Sequence, residues 1–296
     1  MRGREMLDTI ENLNPAYIEA AAEKPKAKKA GWLKWGAMAA CFCLVVALAP
    51  ALFRYGNELK ELEQSELFVY EGIQYYIIGN DDSPERYGFP TKITEEHTGE
   101  QIAFLTRNTT GDLTTTTKET QAVLFEYISA PCDAARILQY GDQWYPVVFA
   151  GVVSDDVEHL NGVALLDMKE LYHIYGIDSP KDIIRIQITD AVAKAKVLYS
   201  EDEEYIEAFY SASVGLNSYS LDDYEQCMFG DCKTNEDIEN MNESIRNDFH
   251  LLQITTKGEL VLHLQIYPTL GWMRSINGNA NYQINDALLH WYDNRP

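Results

Sequence analysis

Eighteen consecutive residues, Gly36 to Phe53, carry no charge, and this run constrains the architecture of the chain more than any other feature. A helix needs about 20 apolar residues to cross about 30 Å of hydrocarbon, so the run is long enough to span. Trp32 and Trp35 before it and Tyr55 after it suit the two water interfaces, where an aromatic ring keeps its polar edge wet. A helix buried in a protein core needs no such flanks. The competing reading is a cleaved secretory signal, because Ala47-Leu48-Ala49 has the small-x-small form of a peptidase site. Against it, 35 residues precede the run, whereas a whole signal peptide takes about 15–30. Pro50 would also follow the cut, where its locked ring fits an extended protease subsite poorly. The expectation is an uncleaved transmembrane helix over 36–53, a signal anchor.

Positive residues stay on the cytoplasmic side of a membrane. Arg2, Arg4, Lys24, Lys26, Lys28, Lys29 and Lys34 precede the run, while Arg54 and Lys60 follow it among Glu58, Glu61, Glu63 and Glu66. The N-terminus is therefore expected in the cytoplasm, with residues 54–296 extracytoplasmic. Residues 1–54 hold 8 Lys and Arg against 5 Asp and Glu, and residues 55–296 hold 16 against 41, a net of −25 for the outer part. Such a field repels nucleic acid and anionic headgroups, since each phosphate contact needs a cation. Nucleic acid is excluded as a partner; divalent cations and basic partners are not, although solubility alone explains much surface acidity.

The cytoplasmic tail, 1–35, carries Ile10, Leu13, Tyr17 and Ile18 at three- and four-residue spacings. That pattern predicts a short helical stripe, a candidate docking element for a cytoplasmic protein that is too short to bury a core alone. Residues 54–66 form a charged connector with helical character. The outer part then divides by pattern into a β-rich unit, 67–150, and an α+β unit, 151–296. In the first, LFVYEGIQYYIIG and ARILQYGDQWYPVVF read as hairpins turning at Glu71-Gly72 and Gly141-Asp142. QIAFL and AVLFEYI read as two more strands joined by an exposed polar loop, TRNTTGDLTTTTKET.

In the second unit, Leu165, Met168, Leu171 and Tyr172 stand at helical spacing before a stop at Gly176. Ser179 to Asp182 makes a cap-like turn into a strand whose Ile184, Ile186 and Ile188 share a face. Ser200 is the expected N-cap of a helix carrying Ile206, Phe209 and Tyr210, with Glu203 completing a capping box. Phe249 to Pro268 reads as a third hairpin turning at Thr255–Gly258, and Asn285 or Asp286 caps a last helix with Leu288, Leu289, Trp291 and Tyr292. The fold class expected for the whole chain is α+β: a transmembrane helix, a mainly antiparallel β unit and an α+β unit.

Chemistry is sparsely marked. The chain has no G-x-S-x-G elbow, S-x-x-K, H-E-x-x-H, P-loop or G-x-G-x-x-G, so the expectation is no enzyme, no catalytic residue and no cofactor. Carboxylate pairs of the glycosidase kind have no fixed spacing and keep a wall-acting enzyme open as the alternative. Asp231 to Glu239, DCKTNEDIE, alternates oxygen-rich residues but has Glu236 where a calcium loop of the EF-hand kind requires glycine, so no metal site is expected. His263 shares a hairpin face with Val261 and Tyr267 and reads as structural. Cys41 and Cys43 fall in the apolar run. Cys227 and Cys232 either close a short loop in an oxidising compartment or stay free with Cys132.

Aromatic residues are abundant, with 19 Tyr and 5 Trp. Tyr75, Tyr76, Tyr140, Trp144 and Tyr145, all on predicted hairpins, are the candidate ligand-stacking residues, weighed against ordinary cross-strand packing. The NPAYIEAA segment, the Lys-rich linker and WLKWGAMAACFCLVV resemble, over residues 14–48, the membrane-anchored extracytoplasmic proteins of Clostridia-type gut bacteria, some of them described as anti-sigma-factor-like. YGIDSPKDI, IEAFY and the closing strand-strand-helix are similar to their uncharacterised outer domains. The resemblance implies a single-span sensor or regulator of the bacterial envelope, held in the bilayer by Gly36–Phe53. It would bind an envelope peptide, glycan or protein outside and a cytoplasmic protein through its tail. No Cys/His cluster precedes the span, so the zinc type of anti-sigma module is absent.

Overall fold

Glu71 and Gly72 both have positive φ, 50° and 77°, the combination that a tight two-residue hairpin turn requires. They join β1 (Leu67–Tyr70) to β2 (Ile73–Ile77). The computed structural model describes residues 66–79, 82–108, 112–153, 164–276 and 280–294, all within one compact unit of the chain, Lys60–Pro296. The apolar run 36–53 and the stripe Ile10, Leu13, Tyr17 and Ile18 lie outside these residues. Among the described residues no helix is long and apolar enough to cross a membrane.

Five further strands complete a closed barrel: β3 (Thr98–Arg107), β4 (Leu113–Thr116), β5 (Ala122–Tyr127), β6 (Ala135–Tyr140) and β7 (Gln143–Val152), in the order β1-β2-β7-β6-β5-β3-β4. Neighbours are antiparallel except at the seam, where β1 meets β4 in parallel at Phe68 and Leu113. β4 corrects the expected loop. Its threonines are β-branched and suit a strand, and pairing with β3 from Phe104–Thr116 to Arg107–Leu113 overrides the polar, turn-like composition around it. The interior is filled by Phe68, Tyr75, Ile77, Leu105, Leu124, Leu138 and Val147, among others. It is therefore a packed core and not a channel.

A second, seven-stranded sheet has the order β10-β14-β13-β12-β11-β8-β9. Its strands are β8 (Ile183–Asp190), β9 (Lys196–Ser200), β10 (Ser218–Tyr219), β11 (His250–Thr256), β12 (Val261–Tyr267), β13 (Trp272–Ser275) and β14 (Asn281–Gln283). Helices α1 (Met168–Ile174), α2 (Glu203–Ser213) and α5 (Asp286–Asp293) bury Leu171, Phe209 and Trp291 in one core with Ile186, Leu252 and Leu264 of the sheet. Helices α3 (Leu221–Phe229) and α4 (Asn235–Asn247) complete the unit, with Tyr224 and Met228 of α3 packed on Tyr267 and Trp272. The described residues are thus α+β with mainly antiparallel sheets.

Local details depart from expectation in three places. Thr255 pairs with Arg185 but Thr256 with Ile183, so Ile184 is the extra residue of a β-bulge. Ile183 joins Ile186 and Ile188 in the core in its place. Asp202, not Ser200, caps α2: its carboxylate accepts from the Tyr205 amide at 2.8 Å, while Ser200 is the buried last residue of β9. The third hairpin turns between Thr256 and Val261, later than Thr255–Gly258.

Barrel and sheet share their core. Ile78, Phe89, Ala135, Ile137 and Phe149 from the outer face of the barrel belong to the same buried cluster as the sheet and its helices, and Phe149 meets Tyr175 edge-on at 6.2 Å. The turn of the β11–β12 hairpin makes a close backbone contact beside the barrel. A Cβ at Gly88, which has φ +90°, would lie 2.0 Å from the Glu259 carbonyl oxygen, and one at Gly258 would lie 2.7 Å from the Ala130 Cβ. Backbone on both sides leaves nothing to move aside. Gly88→Ala is expected to cost about 3 kcal/mol or more in chemical denaturation, whereas Gly215→Ala, where open space surrounds the new methyl, stays within about 0.5 kcal/mol.

Candidate functional site

The β6–β7 hairpin turns through Gly141, at φ +62°, which presents Asp142 and Gln143 at the barrel rim immediately before Trp144. A cleft of about 370 Å³ opens there, lined by Trp144, Asp142, Gln143, Lys92, Thr91 and Asp82. Trp144 is half-buried, its ring tilted against Phe125 at 5.6 Å. Asp82 accepts a 3.0 Å hydrogen bond from the Tyr87 hydroxyl, whose pKa is pushed up to about 12 by burial and by that carboxylate. The cleft therefore offers one aromatic surface, one cation, two carboxylates and two neutral polar side chains. That inventory orients a small polar ligand without demanding that it be charged.

The five expected stacking residues separate. Tyr75, Tyr140 and Tyr145 point into the barrel, buried, and present no ring face to solvent. Tyr75 stacks on Phe68 at 5.5 Å, and its hydroxyl is buried without a partner, which raises its pKa. Tyr76 points outward and packs on the core shared with the sheet. Trp144 alone joins an aromatic face to an open cleft, with Tyr145 contributing to the lining. Asp142 and Gln143 were legible as its sequence neighbours. Asp82, Thr91 and Lys92 are brought in by the chain's passage past the rim and carry no local signal.

The acidic stretch Asp231–Glu239 is a helix start. The Thr234 hydroxyl accepts from the Asp237 amide at 3.1 Å, and the Asp237 carboxylate accepts from the Lys233 and Thr234 amides at 2.9 Å. These bonds hold its pKa below the usual carboxylate range. Asp190 is pulled down by the amides of Ala193 and Val192, and Glu85 by the hydroxyls of Ser83 and Thr91. All three shifts favour the ionised form, the direction opposite to a general acid. Cys132, Cys227 and Cys232 are free thiols, Cys227 exposed on α3.

His263 is buried on the sheet face toward the barrel. Its Nε2 lies 2.8 Å from the Arg86 carbonyl, and its Nδ1 is buried without a partner. The Tyr87 ring stands edge-on at 5.9 Å. Burial lowers its pKa, and the Arg86 charge adds to the effect against the hydrogen bond to the Arg86 carbonyl. Comparison with protein-family models, curated proteins and solved structures yields no match to this chain.

His263 carries a consequence for pH. The unfolded chain protonates this imidazole near pH 6.5, before the folded chain does, so stability is complete above about pH 6.5 and falls below it. His173, raised by its hydrogen bond to Asp178, acts in the opposite sense but is exposed and screened by water. The melting temperature is expected to fall between about pH 7.5 and pH 5.5, and His263→Gln to flatten that slope by about one proton's worth.

Proposed function

We propose that this chain is a single-pass, membrane-anchored extracytoplasmic binding protein of the bacterial envelope. Gly36–Phe53 is the anchor, the N-terminus is cytoplasmic, and residues 54–296 lie outside. The observation that carries the binding role is the rim cleft, in which a half-buried indole sits beside hydrogen-bonding groups of both signs. An indole face takes the apolar face of a sugar ring, and the Thr91 hydroxyl, the Gln143 amide and the Asp142 carboxylate match ring hydroxyls. The net of −25 on residues 55–296 disfavours anionic polymers, so the ligand class is a neutral saccharide of the envelope. The tail stripe Ile10, Leu13, Tyr17 and Ile18 docks a cytoplasmic protein, which makes the protein a sensor in addition to a binder.

Titration calorimetry of the full-length protein in detergent with neutral envelope oligosaccharides tests the binding. Trp144→Ala is expected to weaken affinity about tenfold or more, in line with an anchor contact of 1–2 kcal/mol. Because Trp144 also packs on Phe125 and Gln143 accepts from the buried Tyr145 hydroxyl, the exposed Asp142→Asn supplies a second variant that keeps the size of the side chain. Equal affinity in both variants and the parent removes the cleft as the site. Topology has its own check in the exposed Cys227: a membrane-impermeant maleimide should label it in intact cells, and labelling only after lysis rejects the outward orientation.

A further inference from the structure

Away from the rim cleft, the first half of β8 lacks a strand on one side. β11 covers its other side along the whole strand, but β9 pairs with it only from Ile186 to Thr189 and turns away at Ser200 toward α2. Residues Ile183 to Arg185 therefore have no strand paired on that side, although the Ile183 side chain itself is buried, and an unpaired edge is one that soluble proteins ordinarily blunt. The bulge in the same place turns Ile184 outward, 41 % exposed. Beside this edge lies a cleft of about 590 Å³. Pro180, Ile183, Ile184 and Ile206 supply its apolar walls, and Glu201, Glu203 and Glu207 its acidic ones. Lys181 adds a single cation, so three carboxylates outnumber the one ammonium in the lining.

The acidic wall is unevenly satisfied. Glu201 faces Arg185 at 4.0 Å and accepts from the Tyr199 hydroxyl. Glu203 and Glu207 stand one turn apart on α2, where like charges repel. The ion pairs among the described residues include neither of them. Helix-dipole stabilisation accounts for Glu203 in the first turn but not for Glu207 in the second. A cation placed between them would relieve the repulsion.

We infer that this groove docks an extended basic segment of a partner protein, which adds as a short strand to the free edge of β8 and sets a lysine or arginine between Glu203 and Glu207. Main-chain hydrogen bonds to Ile183–Arg185 give the register, Ile184 packs against an apolar residue of the guest, and the glutamates select its charge. An anionic headgroup or polymer is repelled by the same three carboxylates. The site lies on the α2 side of the sheet, and its occupancy is independent of any saccharide bound at Trp144.

The test uses full-length protein in detergent and a fluorescent, capped eight-residue peptide of alternating valine and lysine, followed by anisotropy. Three comparisons decide it. Glu203→Lys with Glu207→Lys is set against Glu239→Lys with Glu243→Lys, an exposed pair of the same spacing on α4 with the same change in net charge. The parent peptide is set against one with its central valine replaced by proline, which cannot pair as a strand. Ile184→Ser probes the apolar contact. The expected result is saturable binding that drops about tenfold or more with the α2 pair, the proline peptide and Ile184→Ser, and by under about twofold with the α4 pair. Equal losses from the two glutamate pairs would reduce the effect to the general acidic field and overturn the site. So would undiminished binding of the proline peptide, or no binding by the parent at about 1 mM peptide.

Discussion

The contact between the hairpin turn after β11 and the barrel is the constraint on which the rest of the unit depends. Glu259, at φ +66°, turns its carbonyl into the space that a side chain on Gly88 would occupy, while Gly258 lies against Ala130. Two backbone segments approach this closely only where one of the facing residues lacks a side chain, as Gly88 does against Glu259 and Gly258 against Ala130, and the approach fixes the orientation of the sheet against the barrel wall. His263 reaches the Arg86 carbonyl across the same boundary, and within the sheet half the Lys257 amide donates to the Asp182 carbonyl at 2.7 Å, which ties the turn to the start of β8. Behind these polar contacts, Phe149, Ile137 and Phe89 pack with the sheet in one continuous core. The barrel fills its own interior, but its outer apolar face is buried in the core it shares with the sheet, which couples the two halves in unfolding.

This arrangement divides the abundant aromatic residues by duty. A small barrel closes only if its interior is filled, and Tyr75, Tyr140 and Tyr145 do that filling with Phe68 and Leu138. Tyr172 and Tyr282 serve the second core: their hydroxyls pair with Ser213 at 2.7 Å and with the Leu166 carbonyl at 2.9 Å, and burial raises their pKa values. Trp144 is the exception, half-buried at a hairpin end where it lines the rim cleft. The start of β8 is unpaired for a reason of its own. β9 has to leave the sheet at Ser200 so that Asp202 can begin α2, and α2 has to cover Ile186 and Leu264.

Legibility in the sequence followed the range of the interaction responsible. Glu71-Gly72 and Gly141 mark hairpins because the turn needs positive φ in consecutive or neighbouring residues, a purely local demand. Asn285 caps α5, accepting from the Leu288 amide at 2.7 Å, for an equally local reason. Helix α4 does carry a sparse stripe, Ile238, Met241 and Ile245, but it stands among charged and amide residues and none of it is fully buried; in α3 only Tyr224 and Met228 are, with Leu221, Phe229, Met241 and Ile245 partly covered beside them. β4 was hidden because its pairing partners, β3 and β1, are what make a threonine run into a strand. Ser200 resembled a cap until the register of β9 against Ile186 claimed it for the sheet. The candidate cleft was half legible. Trp144 with Asp142 and Gln143 is one local stretch, whereas Thr91 and Lys92 reach the rim from far along the chain.

By itself the sequence determined the alternation of strands and helices, the α+β class, the acidity of residues 55–296 and the uncharged length of 36–53. Each is set by composition or by a period of two to four residues, and such short-range information survives in the unfolded chain. Tertiary structure alone decided that seven strands close into a barrel and that the barrel and second sheet share one core. It also decided which aromatic rings are consumed by that core. These outcomes depend on contacts between residues far apart in sequence, such as Phe68 with Leu113 and Gly88 with Glu259. Whether a side chain is buried is settled by what arrives from elsewhere to cover it, and no local pattern records that arrival.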